Sequence, residues 1–216
     1  MSTAPRKALQ ADWDAVGGLS SPSKMPCYSY SIPAWRCGVG SKLRMVVGST
    51  CSRCYALKGR YVFPNVADAL ERRYQAMATD YGAWSGAMAR LITGLGQTYF
   101  RWHDAGDLQS VEHLRAIVEI AKRTPNTKHW LPTREYAIVK AYRAEHGEFP
   151  NNLTVRLSAH MIDGMAPAYG LPTSTVTTSA TSEGSHACPA RFQDGKCADC
   201  RACWTSSIQN VAYHVH

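Results

Sequence analysis

No run of eighteen apolar residues occurs in this 216-residue chain, which leaves no candidate for a membrane-spanning helix. The opening "MSTAPRKALQADWDAVGG" has no apolar core, so no secretory leader is expected. Lysine and arginine never run five together, which excludes a basic tail. Internal repeats, low-complexity blocks and helix-turn-helix, zinc-finger or RNA-binding patterns are also missing. These absences predict a cytosolic globular chain without a membrane partner. Composition agrees: 45% of residues are hydrophobic and 19% charged, enough to bury a core without staples. The net charge of +8 favours anionic partners, either nucleic acid or an anionic ligand.

Cysteine, in contrast, is plentiful, with eight residues. In a reducing compartment such a number points to metal binding before disulfides. Four lie in "CPARFQDGKCADCRACW", where Cys188, Cys197, Cys200 and Cys203 form C-x8-C-x2-C-x2-C. Structural zinc commonly uses two separated C-x2-C knuckles. Three cysteines in tandem at this spacing resemble a ferredoxin-type run, so a [4Fe–4S] cluster is expected, with zinc as the alternative. Ferredoxins place proline after the last cysteine, whereas Trp204 stands here. The other four are looser: Cys51 and Cys54 form a C-x2-C, and Cys27 and Cys37 lie upstream. They are candidates for a second or mixed metal set.

Residues 1–24 are polar and read as a flexible arm, and 25–216 as one domain. Within it, 25–65 read as cysteine-containing loops, 66–180 as a β/α core and 181–216 as the cysteine cluster. Val66, Leu70, Tyr74 and Met77 share a helical face. A second helix is expected over 83–93. Then a strand–helix rhythm begins: "TYFRWHDAGD", "SVEHLRAIVEIAKR", "TKHWLPT", a helix from Arg134 to Glu145 capped by Thr133, "LTVRLSAH", and "STVTTS". Such alternation implies parallel strands and an α/β fold. A partial or irregular β/α barrel is expected, with a small open doubly wound sheet as the alternative.

In these folds function gathers at the carboxyl ends of the strands. Candidate catalytic residues there are His103, Asp104, Arg134 and His160, the histidines as proton carriers and the arginine as an anion clamp. Candidate ligand-binding residues are Arg101, Asp107, Arg156 and Ser158. Asp107 is equally a candidate helix cap. Alternation puts Leu153, Val155, Leu157 and Ala159 on one face, and Thr154, Arg156, Ser158 and His160 on the other. By the same rule Tyr99, Arg101 and His103 share a face.

The segments "MPCYSYSIPAWRC", "GSTCSRCYALKGRY", "FRWHDAGDLQS", "HWLPTREY", "VRLSAHMID" and "CADCRACW" together resemble the gene product 88 family of phage proteins, over about residues 24–216. That resemblance implies a phage origin, action in the cytoplasm of the infected host, and a cysteine pattern suited to an iron–sulfur centre. "CSRCYA" is also similar to the end of the cluster-binding loop of radical SAM enzymes, which are partial β/α barrels. Their first cysteine has no counterpart, because Val47 stands four residues before Cys51. That departure argues against an ordinary S-adenosylmethionine-binding cluster. A redox or radical-type activity is one expectation, and a metal-stapled nucleic-acid-binding or regulatory protein is its rival.

Overall fold

The strand–helix rhythm starting at Tyr99 builds a parallel sheet with helices on one face. The computed structural model describes residues 9–179 and 183–215. Among these residues are seven strands: β1 (Ser29–Tyr30), β2 (Tyr99–Trp102), β3 (Lys128–Thr133), β4 (Leu153–Ile162), β5 (Thr173–Thr177), β6 (His186–Ala187) and β7 (Asn210–His214). Their order is β1-β2-β3-β4-β5-β7-β6, and every neighbouring pair is parallel. Six α-helices accompany them among the described residues: α1 (Gln10–Ala15), α2 (Gly38–Leu43), α3 (Pro64–Thr79), α4 (Tyr81–Gly94), α5 (Val111–Arg123) and α6 (Tyr136–His146).

Local chemistry sets the helix ends. Pro64 opens α3, where its missing N–H costs nothing. The Asp80 carboxylate accepts from the Gly82 and Ala83 N–H groups and starts α4 two residues before the expected Ala83. Ser110 caps α5, so Asp107 is not the cap of that helix. Lys122 and Arg123 end α5, complementing its dipole. Helix α6 begins at Tyr136 rather than Arg134, because Thr133 is still paired with Leu157 of β4.

The alternation expected of β4 is observed. Leu153, Val155 and Leu157 join Phe100, Trp102 and Leu131 in the main core. Trp84, Met88 and Leu91 of α4, Leu114 and Ile117 of α5, and Val139 of α6 close that core from the helical side. Each such side chain removed from water contributes about 1.5–3 kcal/mol. The opposite face carries Tyr99, Trp130, Thr154 and Arg156. It is covered by the segment 188–208, not by helices, so a doubly wound sheet with two helical layers is not the architecture. Among the described residues no pairing joins β1 to β6, and the sheet is open at those edges.

Two expectations need correction. The flexible arm is not free over its described part: α1 forms, and Val16 and Leu19 lie in the main core. Residues 1–8, and the boundary expected at 180–181, lie outside the described residues. The sharing of a face by Tyr99, Arg101 and His103 also fails. His103 follows the strand with φ 54°, which turns its ring to the helical side against His113 of α5, centroids 5.3 Å apart.

Candidate metal centre

The eight thiols are all free, and they fall into two groups that cut across the sequence pattern. Cys27 leaves the other N-terminal cysteines and joins the C-terminal set. It shares an apolar cluster with Cys203, Cys188 and Cys200, around Trp130 and Trp204. It also lies within electrostatic reach of Cys197, whose own N–H donates to the Lys24 carbonyl. Cys200 Sγ lies 3.5 Å from His186 Nε2, and Cys203 Sγ 3.1 Å from the Tyr213 hydroxyl. Five cysteines thus meet on the sheet face that lacks helices.

This layer is pinned by Arg156, which is fully buried on β4. Its Nη1 donates to the carbonyls of Thr173 and Ile208, and its Nη2 to those of Ala202 and Thr205. Thr154 adds a bond to the Trp204 carbonyl, and Trp204 Nε1 donates to the Phe100 carbonyl. Arg156 is therefore occupied by backbone. Ser158 likewise accepts from the Ser174 hydroxyl at 3.0 Å inside the sheet.

Cys37, Cys51 and Cys54 form the second group, at the carboxyl ends of β3 and β4. Cys37 and Cys54 pack in one small cluster with Ala34, Ala56, Leu70 and Ala105. A Cβ on Gly40 would lie 2.9 Å from Cys37 Cβ, 3.6 Å from Cys37 Sγ and 3.7 Å from Cys51 Sγ. Each carrier segment is tied to a strand end. Glu135 Oε1 accepts from the Val39 N–H at 2.6 Å, holding the start of α2 directly after Cys37. The Thr50 N–H donates to the His160 carbonyl, and Ser49 bridges to Met161. Asp104 holds the turn after Cys54: its carboxylate accepts from Tyr61 and Ser29, and its carbonyl from the Tyr55 hydroxyl.

The remaining candidates sort by position. The buried Asp107 accepts from the Thr133 hydroxyl and from the Arg134 and Leu108 N–H groups, stitching two strand-end loops together. Arg134 Nε donates to the Thr50 hydroxyl at 2.9 Å. His160 stacks on Tyr136 at 4.3 Å, and its Nε2 lies 3.2 Å from the Arg134 carbonyl oxygen. This stack lines an open cleft of about 520 Å³ with Met161, Met165 and Tyr169. His103 does not reach it. Both its ring nitrogens are buried without partners among the described residues, and burial drops its pKa to about 3. Arg101 lies beside the C-terminal thiol group, within electrostatic reach of Cys27, Cys197 and Cys203. Tyr55 is also within that reach, and the Arg101 guanidinium is 4.6 Å from the Trp130 ring. Sequence reasoning missed Glu135 and Gly40 as positioning residues. Glu135 carried only the hint of an acidic group at a strand end.

Burial raises the thiols on both sides: Cys27 to about 12, Cys203 to about 11, and Cys37, Cys51, Cys188 and Cys197 upward. The Arg134 charge partly offsets the rise at Cys51. Left to themselves such groups stay protonated, which makes them poor free nucleophiles. Among the described residues no three His, Cys, Asp or Glu side chains are grouped so as to hold a metal ion. No helix there is long and apolar enough to cross a membrane.

An open parallel α/β sheet with two groups of free, partly buried thiols defines the class of protein. The chain belongs to the gene product 88 family, whose pattern it matches over residues 5–206. No curated protein and no solved structure matches it. The similarity to radical SAM enzymes therefore has no support beyond the short "CSRCYA" segment.

Proposed function

We propose that this chain is a phage-encoded iron–sulfur protein of the host cytoplasm, acting on a small anionic ligand by redox or radical-type chemistry. We read its sheet as an opened β/α barrel whose lumen is filled by the 188–208 segment. One observation carries the reading: Cys27 is brought from the far end of the chain to Cys188, Cys197, Cys200 and Cys203. Such convergence of free thiols, two of them buried and three half-buried, in a layer with few apolar residues of its own, suits a polynuclear group better than a disulfide core.

No three of these side chains stand close enough together among the described residues to ligate one metal ion, so the reading leans on the cysteine spacing, the shared layer and the charge beside it. Arg101 Nη1 meets Met25 Sδ at 3.1 Å, its guanidinium lies over the Trp130 ring and near the Tyr55 hydroxyl and the Asp104 carboxylate, and Nε has no partner among the described residues. A buried cation beside five thiols supplies counter-charge that thiolates around a cluster need. Cys188, Cys197, Cys200 and Cys203 would hold the cluster, with Cys27 beside them. When bound, a [4Fe–4S] group supplies one-electron transfer. The chain's own part is to exclude water with Trp130 and Trp204 and to balance charge with Arg101. At the other group, Arg134 would attract the anion and the stacked His160 would carry protons.

The test is iron, zinc and acid-labile sulfide content on protein purified without oxygen, with the absorption spectrum of the same sample. About four or more irons, with equal sulfide and a broad visible band, support the reading. Zinc without sulfide removes it.

A second reading has its own observation. Lys42, Arg53, Lys58 and Arg60 are exposed around the Cys37–Cys54 region, beside the exposed rings of Tyr55 and Phe63. A basic rim with aromatic rings suits nucleic acid, with metal as a staple. Binding that falls steeply with salt would favour it, and salt-insensitive or absent binding would end it.

A further inference from the structure

The segment 34–63 caps the carboxyl ends of the strands. Glu135, after β3, accepts from the Val39 N–H, and the Thr50 N–H donates to the His160 carbonyl of β4. Tyr55 and Tyr61 both donate to Asp104, after β2. The last residues of β4 join the segment there, because Ser49 bridges to Met161. Every large apolar side chain exposed among the described residues, Phe192 excepted, belongs to 34–63 or to 161–169. One end of the sheet therefore carries nearly all the large apolar groups left in water, where single scattered residues are the norm.

The tip at 45–47 stands out furthest. Met45 is 84% and Val47 93% exposed, yet the turn is fixed. The Met45 and Val46 N–H groups donate to the Lys42 and Leu43 carbonyls, Ser49 Oγ donates to the Leu43 carbonyl, and the Gly48 carbonyl accepts from the Ile162 N–H at 2.9 Å. Gly48 borders Met161, whose Cε a Cβ there would meet at 3.6 Å, and Met161 lines the cleft of about 520 Å³ with Met165 and Tyr169. A bonded turn holds these side chains out; fraying does not.

Charge at this end has one sign. No Asp or Glu occurs between Asp14 and Asp68, a stretch with seven lysines and arginines. Lys42, Arg53, Lys58 and Arg60 are exposed among the apolar positions. The acids of the strand ends are turned inward: Asp104 to Tyr61 and Ser29, Asp107 to Thr133, and Glu135 to Val39. The exposed Asp163 is bound by Thr178.

We propose that this end of the sheet docks on an anionic lipid surface, with Met45, Val46 and Val47 entering the acyl boundary and Lys42, Arg53, Lys58 and Arg60 lying at the headgroups. The inference is independent of the iron–sulfur reading, and it revises the expectation of a chain without a membrane partner. Surface docking needs no spanning helix. An acyl layer accepts several separate apolar tips, and basic side chains reach headgroup phosphates while their stems lie on hydrocarbon. A second copy of the chain would set like charges against each other. A single-stranded nucleic acid would stack on Tyr55 and Phe63 but leave Met45, Val47 and Met165 in water, since bases stack on rings.

The experiment is co-sedimentation of the full chain, purified without oxygen, with lipid vesicles. Phosphatidylcholine vesicles with about 30% phosphatidylglycerol are expected to bind wild type at least about tenfold more tightly than phosphatidylcholine alone. Met45→Ser with Val47→Ser keeps the charge, changes only exposed side chains, and is expected to weaken that binding about tenfold or more. Lys58→Ala with Arg60→Ala should weaken it about tenfold. Circular dichroism equal to wild type shows that each variant is folded. No wild-type binding to the anionic vesicles overturns the proposal, and needs no variant to fold. Equal binding by the serine variant also overturns it, because charge attraction alone then suffices. Binding of single-stranded DNA in place of vesicles gives this end to nucleic acid. A dimer in light scattering that the serine variant dissolves, without vesicle binding, gives it to a second copy. Either result overturns the lipid surface.

Discussion

Arg156→Met is the sharpest test of how the thiol layer is held. The substitution keeps the buried stem but deletes four bonds, to the carbonyls of Thr173, Ala202, Thr205 and Ile208. Bonds from a charged donor are worth about 1.5–3 kcal/mol each, and a stranded buried carbonyl costs about 1–3 kcal/mol. Two effects offset the loss. The guanidinium has no carboxylate partner within its bonds, so removing it refunds desolvation, and the 202–208 segment can lift to hydrate its carbonyls. The net expectation is a loss of about 3–4 kcal/mol, or about 10 °C in thermal midpoint for a chain of this size. Lifting the segment displaces Cys200 and Cys203, so iron bound there should fall in parallel. Arg156→Lys offers three donors from one nitrogen and should recover less than half of the loss. A midpoint within about 2 °C of wild type, with full iron content, would refute the staple and return Arg156 to ligand binding.

Three further outcomes follow from the same geometry. His103, His113 and His129 are buried and held neutral by desolvation, His103 and His129 with pKa about 3 and His113 well below its usual value. In the unfolded chain they titrate near 6.5, so stability is full above that pH and falls as pH drops from about 6.5 toward 3; at pH 5.5 the three together cost about 4 kcal/mol. Thermal unfolding at pH 7.5 and 5.5 reads this, and His103→Asn, tolerant of positive φ, should lose about a third less over the interval. Glu135→Ala, which frees the Val39 N–H at the start of α2, should cost about 1–2 kcal/mol, whereas Glu135→Gln should cost less than half of that; equal unfolding midpoints would refute the role. Gly40→Ala should cost about 1–3 kcal/mol of stability with little change in helical circular dichroism, because the added Cβ meets Cys37 Cβ at 2.9 Å; an unfolding midpoint equal to wild type would show that the Cys37 turn gives way freely.

What the sequence revealed, and what it hid, divides by range. The β2–α5–β3–α6–β4 run was legible because each element carries its own period, and the two faces of β4 follow from alternation alone. β1 and β6 are two residues each, too short to show any period. β7 was hidden although its sequence alternates, since nothing local says that Asn210–His214 inserts between β5 and β6. Parallel pairing carries no hairpin turn to announce it. Within the site, the C-terminal cysteine spacing was readable, but the company of Cys27 was not, because a contact across about 170 residues leaves no mark in spacing. His103 was misplaced by a single backbone angle, which alternation cannot anticipate. Arg156 read as a ligand clamp because a charge on a strand face implies an anion; four carbonyls met it instead.

The order of the sheet explains why the thiols lie where they do. From β1 to β5 the strands succeed one another in chain order, and α4, α5 and α6 all pack on one side. The other side must be covered by something else, since a parallel sheet exposes Trp130 and Tyr99 there. The cover is a segment with only short turns of helix, and few of its residues are apolar: Ala202, Trp204 and Ile208 supply most of the contact. Such a layer buries too little surface to hold itself in place. Arg156 secures its chain-terminal half through carbonyls. Cys188 and Cys197 lie beyond that reach, in the half with the fewest apolar anchors. A group that bonds several thiols at once would supply there the cross-links that helices make unnecessary on the opposite face. On the proposed iron–sulfur reading, binding of metal and closure of this layer would be one event, and a chelator should loosen 188–200 before it loosens the helical side.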